Sequence, residues 1–305
     1  MRKFLALGVA LVASVAFTQA AFAADPAPIA KPFPAATSGA VFIAAQTVTA
    51  TGALQNQFAP GSSVIFRAYA VDSKAHKVLA AKDVKYFYVS IPNQPTVKMT
   101  YNPSAPGASG RMVWTGTWTV PASYPAGLVN FKVLVKTQFK RIGQFVQLPV
   151  VSSQLTIAAT PQTTLGNGPA AAPVPTVSDT SISLYMDTVN GTSPVGAPKR
   201  AVGCSQANVY KRGEQVVIRV WGFDLAASTT LSTDNVDTAT YTIPGQPTAA
   251  LNYGAHGSVG NKVFFWSAPW IVPAAFPLGD VTIHVEFKTV AGKTGTFDFP
   301  ITIIP

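Results

Sequence analysis

One stretch of this chain occurs twice. Residues 114–136 read WTGTWTVPASYPAGLVNFKVLVK, and residues 266–288 read WSAPWIVPAAFPLGDVTIHVEFK. The offset is 152 throughout: Trp114 falls on Trp266, Trp118 on Trp270, Pro121 on Pro273, Pro125 on Pro277, Gly127 on Gly279 and Lys136 on Lys288. Over 61–145 the match has no gap and holds 26 identities in 85 positions. A gap-free match includes the turns, so they too have kept their length. A repeat of this size is a structural unit rather than a motif, and the chain is expected to fold as two copies of it.

Each copy reads as strands. Charged residues make up only 11% of the chain, whereas surface helices need Glu and Lys on their wet faces. Val and Thr alternate with apolar neighbours at period 2. Expected strands are 63–71 and 215–223, then 84–91 and 236–243, each followed by a Pro-x-Gln-Pro turn. Then come 96–101, 112–120, 129–137 and 143–151 in the first copy. A first strand over 40–50, AVFIAAQTVTA, has its counterpart at 181–191, now offset by 141, so the second copy carries eleven extra residues between Asn190 and Tyr210. About seven strands at such spacing define an all-β chain of two tandem immunoglobulin-like β-sandwich domains.

The ends and joints follow from composition. Residues 1–23 read as a secretory signal peptide: Arg2 and Lys3, an apolar run to Phe17, and Ala21-Phe22-Ala23 at the cleavage site. A membrane-spanning anchor needs about 20 apolar residues, and this run is shorter, so the chain is read as not membrane-spanning. Residues 24–37 form a Pro-Ala-rich leader, 38–157 the first domain, 158–178 a Pro-Gly-Ala linker and 179–305 the second domain. Such a linker is expected to leave the domains some freedom. The compartment is then periplasmic or extracellular.

The segment Tyr124-Pro125-x-Gly127-x-Val129-x-Phe131-x-Val133 resembles the corner before the penultimate strand in bacterial immunoglobulin-like and fibronectin type III-like domains. The second copy has Phe276 in place of Tyr124, and the paired cysteines of antibody domains are missing. The resemblance covers both copies, implies a fold, and carries no functional residues.

Enzyme chemistry finds little footing. The three histidines, His76, His256 and His284, are not repeated and lie at no ligand spacing. There is no HExxH, CxxC, GxSxG or phosphate-binding glycine loop. The first domain has only Asp72 and Asp83 as carboxylates, too few for paired acid and base work. Asp224, Asp234 and Asp237 gather near one loop of the second, as a weak cation site or as a solvated acidic loop. The chain is read as non-enzymatic, with no cofactor. Its one cysteine, Cys204, excludes an internal disulfide. It is either a small, partly buried side chain or a point of contact between molecules.

Charge and difference between the copies locate a candidate surface. Residues 24–160 hold 12 Lys or Arg against 3 Asp, a balance of +9; residues 161–305 hold 8 against 9, a balance of −1. A basic exported domain suits an acidic protein, an anionic polysaccharide or a lipid surface; nucleic acid is wrong for the compartment. The outward face of strand 84–91 carries Tyr86 and Tyr88 where the second copy has Thr238 and Thr240. Strand 129–137 turns Lys132, Leu134 and Lys136 outward where the second copy has His284, Glu286 and Lys288. The next hairpin tip is Phe139-Lys140-Arg141 against Ala291-Gly292-Lys293. Aromatics among cations on a wet face are typical of interfaces, so these eight residues form the expected binding site. The bland alternative is that the tyrosines pack on the linker, the leader or the second domain. Trp114 and Trp118, by contrast, share a face with Met112 and Val120, and in the second copy Phe264, Trp266, Ala268, Trp270 and Val272 line one face. That pattern reads as core rather than as a sugar-stacking platform.

Overall fold

A computed structural model describes residues 41–75, 77–102, 113–147, 150–162, 165–169, 174–175, 182–192, 200, 203–257 and 262–305. The signal peptide, the leader, His76 and Met112 lie outside these residues. The described chain is built of strands, with two single 3₁₀ turns at Ala81–Asp83 and Val151–Ser153.

The first half contains β1 (Val41–Val48), β2 (Gln57–Phe58), β3 (Ser63–Asp72), β4 (Lys77–Val78), β5 (Val84–Ser90) and β6 (Val97–Lys98). It continues with β7 (Thr100–Asn102), β8 (Val113–Thr119), β9 (Gly127–Leu128), β10 (Lys132–Thr137), β11 (Ile142–Val146) and β12 (Thr156–Ile157). The second half contains β13 (Val174–Pro175), β14 (Ile182–Asn190), β15 (Val209–Lys211), β16 (Gln215–Asp224), β17 (Thr229–Thr230) and β18 (Val236–Thr242). It ends with β19 (Ala249–Ala250), β20 (Asn252–His256), β21 (Val263–Ile271), β22 (Gly279–Thr289) and β23 (Thr294–Ile304).

In the first half a sheet in the order β1-β3-β8-β7 faces one in the order β11-β10-β5-β6. In the second, β14-β16-β21-β20 faces β23-β22-β18-β19. This is the two-layer, antiparallel strand order of an immunoglobulin-like sandwich. In both halves a short segment after the first strand crosses over to pair in parallel with the last strand, β2 with β12 and β15 with β23. The expected strand 96–101 is in fact two: β6 belongs to one sheet and β7 to the other.

Between the sheets sit the paired tryptophans. Trp114 and Trp118 are buried, as are Trp266 and Trp270. Trp114 Nε1 donates to the Leu79 carbonyl at 3.0 Å, and Trp266 Nε1 to the Leu231 carbonyl at 2.9 Å. Phe264 departs from the expected core face. It is 46% exposed and lies against Tyr253, because the buried alternation of β21 changes parity at Phe265-Trp266, so Val263 and Phe265 are covered in its place. The corner residue acts by packing: Tyr124 meets Trp118 edge-on at 5.0 Å and Phe276 meets Trp270 at 5.1 Å. A ring suffices there, which is why phenylalanine replaces tyrosine.

The last strand distinguishes the halves. β23 runs unbroken for 11 residues, whereas its counterpart is split into β11 and β12. Ile157 pairs with Gly127 and Ile303 with Gly279. The offset at that point is therefore 146 instead of 152, and the first copy carries six extra residues in this strand. They form an excursion that reaches the other half: Ser153 Oγ donates to the Cys204 carbonyl at 2.9 Å and lies 2.9 Å from Arg219 Nη1.

The halves share an interior. β1 and β14 are buried along their whole length on both faces. Phe42, Ala44, Val48, Leu54, Tyr69 and Val71 join the hydrophobic cluster of the second half. The expectation of freedom across the linker fails for that reason, since each large apolar side chain so buried contributes about 1.5–3 kcal/mol. The contacts are reciprocal. The Leu54 N–H donates to Asn208 Oδ1 at 2.7 Å, and the Gln206 N–H donates to Asn56 Oδ1 at 3.1 Å. Residues 54 and 206, and 56 and 208, are each 152 apart. Tyr69 packs on Phe297 and Tyr185 on Phe145, again with 145 and 297 equivalent. A patch that contacts its own counterpart in this way is isologous, here folded into one chain.

Candidate binding face

β10 lies between β5 and β11, and its register builds the face row by row. Lys132 is flanked by Ser90 and Val146, Leu134 by Tyr88 and Gln144, and Lys136 by Tyr86 and Ile142. Lys98 on β6 extends the middle row beyond Tyr88. The pleat sends the alternate residues Phe87, Val89, Val133, Val135 and Phe145 into the core, where all are buried. Five predicted residues, Tyr86, Tyr88, Lys132, Leu134 and Lys136, thus share one outward face.

The two tyrosine rings lie side by side, 5.7 Å apart, and Lys136 Nζ sits 5.9 Å from the centre of the Tyr86 ring. Tyr86 is 41% exposed and Ile142 43%. Among the described residues no ring, hydrogen-bond or ion-pair contact ties either tyrosine to the second half; the leader and much of the linker lie outside the described residues. Lys85, Lys98, Ile142, Gln144 and Val146 belong to the same surface and were not expected. The alternation of 142–146 in the sequence signals them once β11 is known to flank β10.

The hairpin between β10 and β11 forms the rim. The Thr137 N–H donates to the Arg141 carbonyl at 2.8 Å, and the Lys140 N–H donates back to the Thr137 carbonyl at 3.0 Å. Phe139 is 69% exposed. Lys140 adopts a left-handed φ of 63°, where the second copy has Gly292 at 77°. A side chain there costs about 1 kcal/mol relative to glycine. Arg141 corrects the expected site: its guanidinium turns inward onto the buried Asp72 carboxylate. Lys293 makes the same bridge to Asp224 at 2.6 Å in the second copy, so this pair holds the hairpin to β3 and β16 and is common to both halves.

That bridge also shapes the field. The two described carboxylates of the first half are both engaged, Asp72 by Arg141 and Asp83 by Lys77 at 2.6 Å. Burial works against the Asp83 charge, but hydrogen bonds from Lys77 and the Ala80 N–H outweigh it and hold the carboxyl below its usual range. Among the described residues no carboxylate pairs with Lys85, Lys98, Lys132 or Lys136. In the second half Asp237 replaces Lys85 and stands 3.9 Å from Lys288, and His284 pairs with Asp298 at 2.7 Å.

The acidic trio of the second half does not assemble. Asp224 receives Lys293 and the N–H groups of Ala226 and Ala227, while Asp237 faces Lys288. Cys204 is exposed, with a left-handed φ of 58°. His256 stacks on Phe265 at 3.9 Å; burial, helped by the Arg219 charge, keeps it below its ordinary pKa. Among the described residues no helix is long and apolar enough to cross a membrane.

No protein-family profile and no curated protein matches the chain. Among solved structures it is similar to SGBP-B of the Bacteroides ovatus mixed-linkage glucan utilization locus, in complex with a mixed-linkage heptasaccharide. The identity is 12% and the TM-score 0.19, over 82% of this chain and 43% of that one. An overlap that loose constrains neither the fold nor the ligand here.

Proposed function

We propose that the protein is an exported, non-enzymatic binding or assembly protein whose first domain engages an acidic protein or an anionic envelope polymer through the β5–β10–β11 face. The single observation that carries this reading is the pairing of Tyr86 and Tyr88 with lysines whose half has, among the described residues, no carboxylate to spare. Long-range attraction would draw the partner in, and the tyrosines, Leu134 and Ile142 would supply contact area. Residues 1–23 direct export, to the periplasm or beyond, and 38–157 and 179–305 are the two domains. The kinship with immunoglobulin-like and fibronectin type III-like domains is one of fold.

A carbohydrate-binding module is the second reading, favoured by two adjacent rings on the outward face, Tyr86 exposed and Tyr88 half-buried. The readings part on salt, because charge attraction is screened and ring stacking is not. The test measures binding of the mature protein to polyglutamate, polygalacturonate, anionic vesicles and neutral glucans at low and high salt. A variant carrying Tyr86→Ser, Tyr88→Ser, Lys132→Glu and Lys136→Glu is run beside it. Salt-sensitive binding to an anionic probe, lost in the variant, supports the first reading. Salt-independent binding to a neutral glucan replaces it with the second, and equal binding by both proteins sinks the face as a site.

A further inference from the structure

The two halves place an arginine at the same position, Arg67 on β3 and Arg219 on β16, and give them different partners. Register sets Asp187 opposite Arg219 and Gln46 opposite Arg67. Arg219 and Asp187 meet fork to fork, Nε on Oδ1 at 2.7 Å and Nη2 on Oδ2 at 2.6 Å, the geometry in which a guanidinium binds a carboxylate best. Arg67 has no such partner. Its Nη2 reaches one neutral oxygen, Gln46 Oε1, at 3.2 Å. The other end of that amide is occupied, since Gln46 Nε2 donates to the Met186 carbonyl at 3.2 Å. Arg67 Nε is closed off from solvent and has no hydrogen-bond partner among the described residues. Asp72 and Asp83 are taken by Arg141 and Lys77.

A cation half-withdrawn from water without a counter-ion is costly. Burial alone brings the Arg67 pKa down to about 10. The side chain as a whole is only half-buried, unlike Arg219, so its tip is open to solvent.

We propose that Arg67 is an anion site that takes the carboxylate of a small acid from solution on the open Nη1–Nη2 edge of its guanidinium, a two-point contact like the fork between Asp187 and Arg219 but made at the tip rather than through the closed-off Nε. The incoming group displaces the single contact to Gln46 Oε1 and supplies the charge that Gln46 lacks. The site lies on the β1–β3 face beside the second half, away from the β5–β10–β11 surface, and stands whether or not that surface binds a partner.

The experiment compares melting temperatures of the mature full chain in sodium glucuronate, sodium acetate and sodium chloride at equal ionic strength. Gln46→Asp, Arg67→Lys and the four-residue face variant are measured alongside. Gln46→Asp restores the internal counter-ion, so it is expected to melt higher than wild type in chloride and to lose the extra rise in carboxylate. That rise in the wild type is expected to be about 2 °C or more near saturation. Arg67→Lys keeps the charge, loses the fork and loses most of the rise; the face variant keeps it. A response to acetate as large as to glucuronate identifies the carboxylate itself as the ligand group, and a glucuronate-only response adds the sugar. An equal rise in wild type and Gln46→Asp, or no rise beyond chloride, overturns the proposal.

Discussion

The same sheet face exists twice in this molecule and has two chemistries. In the first half it carries Tyr86, Tyr88, Lys132, Leu134 and Lys136, bordered by Lys85 and Ile142. At matching positions the second half has Thr238, Thr240, His284, Glu286, Lys288, Asp237 and Thr294. One layer beneath, the residues scarcely change in kind: Val133 and Val285, Val135 and Phe287, and Phe145 and Phe297 are all buried. Close packing explains the pattern: where Phe287 stands for Val135, its cross-strand partner is Ala239 in place of Phe87, so the volume gained on one strand is offset on the other. The wet face carries no such constraint, and there the copies have diverged in charge. The hairpin bridge behaves like core, because Arg141–Asp72 and Lys293–Asp224 differ in residue and not in role.

The core side of the comparison breaks with the largest effect. Trp114→Ala and Trp266→Ala are each expected to cost about 3–5 kcal/mol in chemical denaturation, and by similar amounts, since both rings are buried and both donate to an equivalent carbonyl. A difference of more than about 2 kcal/mol between them would mean that the halves are less alike inside than their sequences are.

The Arg67 and Arg219 positions come next. Asp187→Asn strands Arg219 where burial opposes its charge and Asp187 is the chief group that outweighs that opposition. The expected loss is about 3–5 kcal/mol. Gln46→Ala, at the equivalent site, removes two neutral-acceptor hydrogen bonds, from Arg67 and to the Met186 carbonyl, and is expected to cost about 1–2 kcal/mol. Equal losses would show that the amide does as much as the carboxylate, and that the two sites are not distinct.

The outer face follows. The four-residue variant of the first half is expected to weaken binding to an anionic polymer about 100-fold at low salt, a difference of about 2.8 kcal/mol. Thr238→Tyr, Thr240→Tyr, His284→Lys and Glu286→Leu together transplant the first face onto the second half. Measurable salt-sensitive binding at the second half, in a protein whose first face has been disabled, would show that these side chains suffice. Failure would place the determinant in the rim or in β11.

Much of this was legible in the sequence, and the remainder was not for identifiable reasons. Period-2 alternation fixed which side of 84–91 and 129–137 is wet, because the pleat leaves no choice. The contact between halves was written only faintly. AVFIAAQTVTA lacks alternation, the mark of a strand buried on both sides, but a sequence does not say what covers the second side. The reciprocal bonds of Asn56 and Asn208 go to main-chain N–H groups, which every residue has. Arg141 reads as a rim cation until the fold brings it onto Asp72, 69 residues earlier. Phe264 fits the core pattern and misses the core because the buried alternation changes parity at Phe265-Trp266.

Lys140 offers the smallest effect and separates stability from function most cleanly. Its backbone is left-handed at φ 63°, and the second half uses Gly292 at the same turn. If only folding mattered, glycine would serve both hairpins. Lys140→Gly is therefore expected to raise stability by about 0.5–1 kcal/mol in urea titration and to lower affinity for an anionic polymer two- to fivefold, by about 0.4–1 kcal/mol. Opposite signs in the two measurements would mark the strain as retained for the charge it presents. If stability rises and binding is untouched, the rim contributes nothing, and the binding surface contracts to the three strands behind it.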